Sequence, residues 1–284
     1  MVFHQPANSD VDVFNAFLYR ETDFAPHFHR GCELLIVIKG TQKATVAGKR
    51  YEVKEGEALF VGPYGLHSYE RSDGSVALVA VFSGAYVEEF SSRHVGETPL
   101  KARFPVSPAT LGFVLSSFFG SPDSESATEF FRSDKAIRSP ENDEYCRFDR
   151  VGVPAPDGLT LRACLYALVA AFEKTAVYVK SDRDDEFVYS VVDYVERNFR
   201  SDISIATLAD ALGYSYDYAS RLFAARFGMR FSSLVNRYRV EEAAKLIATG
   251  NVSATEAAMR SGFNSIRSFN RVFRSMSGRT PTGR

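Results

Sequence analysis

At 284 residues, 45% hydrophobic and 24% charged, the chain is longer than one ordinary domain and composed like a folded globular protein, which excludes a disordered or fibrous chain. Its net charge of −1 conceals two parts of opposite sign: residues 187–284 hold 14 Lys and Arg, 13 of them Arg, against 8 acids, a balance of +6, and the rest carries −7. No run of about 18 apolar residues is present to span a bilayer, and the start MVFHQPANSD lacks the basic flank and apolar core of a secretory signal, so a cytoplasmic location without a membrane partner is expected.

Residues 10–90 read as short strands: ELLIVIKG, KATVAG, KRYEVKEG, EALFVGP and VALVAVF, each rich in β-branched or aromatic residues and closed by Gly or Pro. That cadence predicts a sandwich or small barrel. Helical patterns follow at Pro108–Phe119 and from Leu159 to Val179, the second with Leu161, Leu165, Leu168, Phe172 and Ala176 on one side. So apolar a stripe is expected to mediate a homodimer. Between those helices, residues 120–158 carry Pro122, Pro140, Pro154 and Pro156 and read as a long loop or irregular insertion. The polar run SDRDDE, 181–186, is read as a linker where the charge balance changes sign. The expected domains are therefore 1–107 (barrel), 108–180 (helical dimerisation segment), the linker, and 187–284. The thiols Cys32, Cys146 and Cys164 have no paired spacing and read as reduced.

The C-terminal part contains an internal repeat. Ala209, Gly213 and Tyr214 correspond to Ala258, Gly262 and Phe263, and Arg221, Phe223 and Gly228 to Arg271, Phe273 and Gly278. In each copy a helix of small and apolar residues ends at glycine, a short turn follows, and an arginine-bearing helix begins. This is the helix-turn-helix layout, whose second helix enters the major groove of duplex DNA. In the first copy Ser215 is the expected N-cap of a helix over Tyr216–Phe227, with Tyr216, Asp217, Ser220 and Arg221 outward. In the second copy Ile266, Arg267, Asn270 and Arg271 are expected outward, over a core of Phe269, Val272 and Phe273. The stretch from Phe231 to Thr249 predicts a connecting helix of roughly 28 Å at ~1.5 Å per residue, suited to placing two readers in successive groove segments.

These residues resemble the DNA-binding domain of the AraC/XylS family of bacterial regulators. Gly262-Phe263, Phe269, Phe273, Gly278 and Thr280-Pro281 match its second half, and NRYRVEEAAKL, 236–246, is similar to its central helix. The family's usual Pro-x-x-Tyr-Arg ending is here Pro281-Thr282-Gly283-Arg284. The resemblance implies sequence-specific transcription regulation, with RNA polymerase a further partner if transcription is activated.

Three of five histidines form the pattern His27-Phe28-His29, Glu33, His67, with Gly40 following the first set and Gly56, Pro63 and Gly65 preceding His67. Strand alternation places His27 and His29 on one face. The pattern resembles the two cupin motifs, in which four such side chains hold a divalent transition metal inside a barrel. Two positions depart from it: the leading glycine is Glu21, and the asparagine after the last histidine is Arg71. The same side chains also suit a hydrogen-bonding core or direct effector ligands without metal, with Tyr19 and Tyr69 as further pocket residues. The fold expected is therefore an α+β multidomain chain: a cupin-like β-barrel with dimerisation helices, followed by an all-α double helix-turn-helix. The favoured function is a regulator responding to a small-molecule effector in the barrel. The alternative is a metal-dependent cupin enzyme with an auxiliary helical domain, although no nucleophile triad or phosphate-binding glycine loop is found.

Overall fold

The computed structural model describes residues 3–4, 13–133, 137–138, 146–180, 183–248, 252–277 and 280. Its strands are β1 (Phe3–His4), β2 (Phe14–Phe28), β3 (Cys32–Lys39), β4 (Thr41–Val46), β5 (Lys49–Lys54), β6 (Glu57–Val61), β7 (His67–Glu70), β8 (Val76–Phe82), β9 (Glu97–Pro99), β10 (Arg103–Pro105), β11 (Ile137–Arg138), β12 (Cys146–Gly152) and β13 (Tyr178–Lys180). The helices are α1 (Glu88–Arg93), α2 (Pro108–Phe119), α3 (Ser124–Arg132), α4 (Gly158–Glu173), α5 (Arg183–Asn198), α6 (Ile205–Leu212), α7 (Tyr216–Phe227), α8 (Phe231–Ala248), α9 (Ala254–Arg260) and α10 (Ile266–Ser277). The chain divides into two units, 8–181 and 182–284, the second including 1–7.

In the first unit the strands run β10-β6-β3-β8-β2-β7-β4-β5, every neighbouring pair antiparallel. They form the expected nearly closed barrel. The 15-residue β2 pairs with β8 through residues 14–20 and with β7 at Phe24 and His27, so one strand changes partner along its length within a single sheet. The change of partner occurs around Glu21, whose φ of 52° lies in the left-handed region. β3 and β8 are buried on both faces. On β3, alternate residues Cys32, Leu34, Ile36 and Ile38 pack outward against the apolar sides of α2 and α4. Glu33, Leu35 and Val37 therefore face the interior.

Four expectations change here. Residues 120–158 are not a plain loop: Asp123 caps α3 by accepting from the Ser126 N–H, and β12 pairs with β2. The second helix stops at Glu173 rather than Val179, because Tyr178–Lys180 pairs with β9 in a segment where Val177 and Val179 favour extended backbone. Finally, Leu161, Leu165, Leu168 and Phe172 fill the core of the barrel unit instead of facing a partner. The outward line of α4 is Leu159, Ala163, Tyr166 and Ala170. The linker expected at 181–186 is also shorter, since α5 already begins at Arg183.

In the second unit α6 and α7 form one helix-turn-helix, α9 and α10 the other. The long α8 shares both cores. Its Phe231 packs edge-on against Phe223 of α7 and its Tyr238 lies at a tilt against Phe199 beyond α5, while Val240 and Ala243 join Ala257, Ala258, Phe263, Phe269, Val272 and Phe273. Its 18 residues span roughly 27 Å. The expected helix 231–249 is thus seen to Ala248, and Thr249 lies outside the described residues. Arg239 ties this helix to the end of α5, donating to the Phe199 carbonyl at 2.6 Å and the Ser201 carbonyl at 2.8 Å.

Candidate functional site

Both helix-turn-helix turns depend on glycine. Gly213 (φ 71°) ends α6, and Gly262 (φ 88°) follows α9. A Cβ on Gly262 would also lie 2.6 Å from the Arg200 Cα, so that position requires both the left-handed backbone and the missing side chain. Ser215 caps α7 as expected, accepting from the Tyr218 N–H at 3.3 Å, and Ser265 caps α10 through the Ser268 N–H at 3.2 Å.

Tyr216, Asp217 and Arg221 stand exposed on α7, with Ser220 half-buried beside them. On α10, Arg267, Asn270 and Arg271 are exposed, but Ile266 is partly buried and packs against the shared core of α8, α9 and α10. Ile266 is therefore a core anchor at the helix start. Arg274, missed in the sequence reading, is exposed and completes the line Arg267, Asn270, Arg271, Arg274. The i, i+3, i+4, i+7 spacing was the available signal.

In the barrel, His27, His29, Glu33 and His67 are all buried, and their ligand atoms lie within 4.8 Å of one another. His27 comes from the end of β2, His29 from the residue after it, Glu33 from β3 and His67 from the start of β7, where it pairs across the strands with His27. Each imidazole Nδ1 lies against a backbone carbonyl: His27 on Ala25 at 2.9 Å, His29 on Gly31 at 2.9 Å and His67 on Gly65 at 2.8 Å. A carbonyl only accepts, so each Nδ1 carries hydrogen and each neutral ring turns a bare Nε2 lone pair elsewhere.

The Nε2 atoms of His29 and His67 lie 3.1 and 3.5 Å from Glu33 Oε2. Lone pairs facing a carboxylate require a proton or a cation between them. The buried His67 Nε2 makes no hydrogen bond. Tyr69 donates to the other carboxylate oxygen, Glu33 Oε1. Burial opposes the charge of Glu33, but facing His67 and bonding with His29 outweigh it and hold the carboxyl well below the usual range. Burial, followed by Glu33 and then Tyr19, pushes the Tyr69 phenol well above its usual value. Three imidazoles with backbone-anchored Nδ1–H groups and one ionised carboxylate are a donor set that fits a divalent transition metal.

The two departures from the cupin pattern meet each other. Arg71 Nη2 donates to Glu21 Oε2 at 2.6 Å, and Glu21 Oε1 accepts from the Gly74 N–H at 3.1 Å. Glu21 thus occupies a left-handed position where glycine is the unstrained choice, tied down by its own carboxylate.

A barrel with a buried polar centre, on the same chain as two helix-turn-helix units sharing one helix, defines a ligand-sensing DNA-binding class of protein. Residues 17–118 match the family described as AraC-like ligand binding domain, and residues 208–283 the family described as Helix-turn-helix domain. The chain belongs to the AraC/XylS family of transcription regulators. An uncharacterized HTH-type transcriptional regulator of Staphylococcus aureus is 33% identical over 98 residues, 34% of this chain and 13% of that protein. YfiF of Bacillus subtilis, described in the same terms, is 32% identical over 88 residues, 31% of this chain and 28% of that protein. The match thus spans only 13% of the length of the Staphylococcus relative. ToxT from Vibrio cholerae, solved with a bound unsaturated fatty acid, shares the fold over 96% of this chain and 94% of that one, with TM-score 0.52 and 15% identity. Nothing in these matches supports the enzyme alternative.

Proposed function

We propose that the chain is a one-component transcription regulator that reads duplex DNA with α7 and α10 and responds to a small molecule in its barrel. The observation that carries this is the pair of like-built readers on one shared helix, with Arg267, Asn270, Arg271 and Arg274 turned outward on the second. Arginine forks match guanine O6/N7 and phosphate, and asparagine matches adenine N6/N7. Tyr216, Asp217, Ser220 and Arg221 form the other reading surface.

His27, His29, Glu33 and His67, with Tyr19 and Tyr69, form the effector end of the barrel in this reading. The first four would hold a divalent transition metal, which supplies a Lewis-acid anchor for an oxygen-bearing effector. ToxT carries a fatty acid in its structure, and the part taken over for this chain is that a barrel of this fold houses a small molecule. Self-association to a homodimer, working in the cytoplasm, would use the outward line Leu159, Ala163, Tyr166 and Ala170 of α4. RNA polymerase is the further partner if transcription is activated.

The test is selection from randomised duplexes by the purified full chain at about 0.1 M salt. Enrichment of a bipartite motif, its parts about one helical turn (10–10.5 base pairs) apart, is expected. An unenriched pool overturns the reading. For the metal, cobalt-loaded protein is expected to show visible bands that His29→Ala and Glu33→Gln remove, and unchanged bands would sink that assignment.

A further inference from the structure

Between α1 and β9 the chain folds back on itself at residues 94–97. The Glu97 N–H donates to the His94 carbonyl at 3.2 Å, with Gly96 in the left-handed region at φ 74°. The His94 ring lies flat on that of Tyr178 in β13, the centroids 3.8 Å apart and the planes within 13°, and the buried Phe90 of α1 stands 5.3 Å away.

Both nitrogens of this ring meet carboxylates. Nδ1 lies 2.8 Å from Glu97 Oε2, and Nε2 lies 2.7 Å from Oε1 of Glu173, the last residue of α4. An ionised carboxylate only accepts and a neutral imidazole has a single N–H, so two such contacts need both nitrogens protonated. A positive ring is also the form that the face of Tyr178 attracts. Arg93 of α1 donates to Glu173 Oε2 at 3.1 Å and to Glu89 Oε1 at 3.0 Å. Burial, followed by Glu173 and Glu97, pushes the Tyr178 phenol up to about 12, so it stays neutral near pH 7. Three carboxylates, Glu89, Glu97 and Glu173, thus face Arg93 and the ring, and histidine is the residue type in this cluster whose charge changes near neutrality.

Loss of the proton sets a bare nitrogen against an oxygen lone pair on one side of the ring. Glu173 keeps Arg93, and Glu97 is the more exposed of the two, 40% against 29%, so the contact with Glu97 is the one to yield. Glu97 pairs with Lys180 across the β9–β13 ribbon, and Tyr178 rests on the ring itself, so both strands are fastened through His94. β13 ends at Lys180, and α5 of the second unit begins at Arg183. Residues 182–284 contain no histidine, so a response of their DNA binding to pH near neutrality has to enter from elsewhere in the chain.

We propose that His94 is a proton-operated clamp: its charged ring fastens the β9–β13 ribbon to α1 and the end of α4, and its release as pH rises changes the affinity of the following unit for DNA. The proton is then an input separate from the barrel's ligand. This rests on the regulator reading only in taking DNA affinity to be the output.

The test follows the full-length protein from about pH 6 to about pH 8 at constant ionic strength, where histidine changes charge. In methyl NMR spectra, Val177 and Val179, which flank Tyr178, are expected to shift with the same midpoint as the His94 ring signal. Affinity for the duplex recovered by selection is expected to change by about fivefold or more across that range, the lower end of ordinary coupling between sites. His94→Gln, neutral throughout, is expected to keep the affinity of the alkaline end, and His94→Arg, charged throughout, that of the acidic end. Any pH course that His94→Gln retains belongs to other groups and is subtracted. Glu97→Gln, at a more exposed position, is expected to shrink the response and serves where a ring variant fails to fold. Methyl signals that stay still while the ring titrates, or the same pH course of DNA affinity in wild type, His94→Gln and Glu97→Gln, overturn the inference. Such a protein still selects a DNA motif and keeps the regulator reading. One whose ribbon follows the ring but which selects no DNA keeps the clamp and loses that reading.

Discussion

Burial, and then the neighbouring His67, hold His27 well below its ordinary 6.5, so in metal-free protein the folded ring resists a proton that the unfolded ring accepts. Acid then favours unfolding: the stability from His27 is present above about pH 6.5 and is lost as pH falls below it. Glu33, held well below 4.5, acts in the same direction, its contribution present above about 4.5 and lost as pH falls toward its folded value. The melting temperature of chelator-treated protein is expected to drop continuously from pH 7.5 to 4.5, and a rise on acidification would contradict this. At the DNA surface, Arg271→Ala is expected to cost about 1–3 kcal/mol and relax base preference at one position, because a bidentate contact is lost. Asp217→Ala is expected to matter less, since a carboxylate facing the groove repels phosphate. Binding to matched and single-substituted duplexes measures both, and a larger selectivity loss from Asp217→Ala would reverse the roles of the two helices.

The two turn glycines make different demands on their elements. Gly213 has open space around its missing Cβ, so Gly213→Ala is expected to cost on the order of 1 kcal/mol in backbone strain alone. Gly262→Ala adds a collision with the Arg200 backbone, which belongs to the chain just after α5 and yields only if that segment moves. Thermal melts of the two variants should separate clearly, with Gly262→Ala the less stable and the weaker DNA binder. Equal melts would show that the second turn tolerates a side chain. Arg239 bears on the same junction: it is half-buried, and burial lowers its pKa, yet it caps two carbonyls at the end of α5. Its replacement by Ala is expected to cost about 1.5–3 kcal/mol, the range for hydrogen bonds to charged groups, and a loss below 0.5 kcal/mol would mark the contact as incidental.

For the whole molecule, the +6 balance of residues 187–284 predicts that DNA affinity resides in the 182–284 unit and falls with salt, by about 0.9 logarithmic units per decade for each phosphate neutralised. Salt-independent binding, or binding by 8–181 alone, would refute it. Much of this design was legible in the residues themselves. Runs of β-branched and aromatic residues closed by Gly or Pro named five of the barrel strands, the Gly213 and Gly262 repeat named both readers, and His27, His29, Glu33 and His67 stood out by type and spacing, because local composition and turn chemistry are properties of neighbouring residues. Other features depend on partners far away in the chain. The 15-residue β2 contains polar Arg20, Glu21 and Asp23 and lacks clean alternation, since its two halves pair with different strands. The leucine stripe of α4 announces an apolar face without saying whether a second copy or its own barrel covers it, and packing against the barrel decided that. Ile266 has the spacing of an outward residue but packs against a core that forms only once α8, α9 and α10 come together. The sequence by itself determined five of the barrel strands, the helices and turns of both helix-turn-helix units and the unusual set of His27, His29, Glu33 and His67. The tertiary structure alone decided which of those side chains converge, because register and packing join residues such as Arg150 and Tyr19, or Glu21 and Arg71, that no local pattern connects.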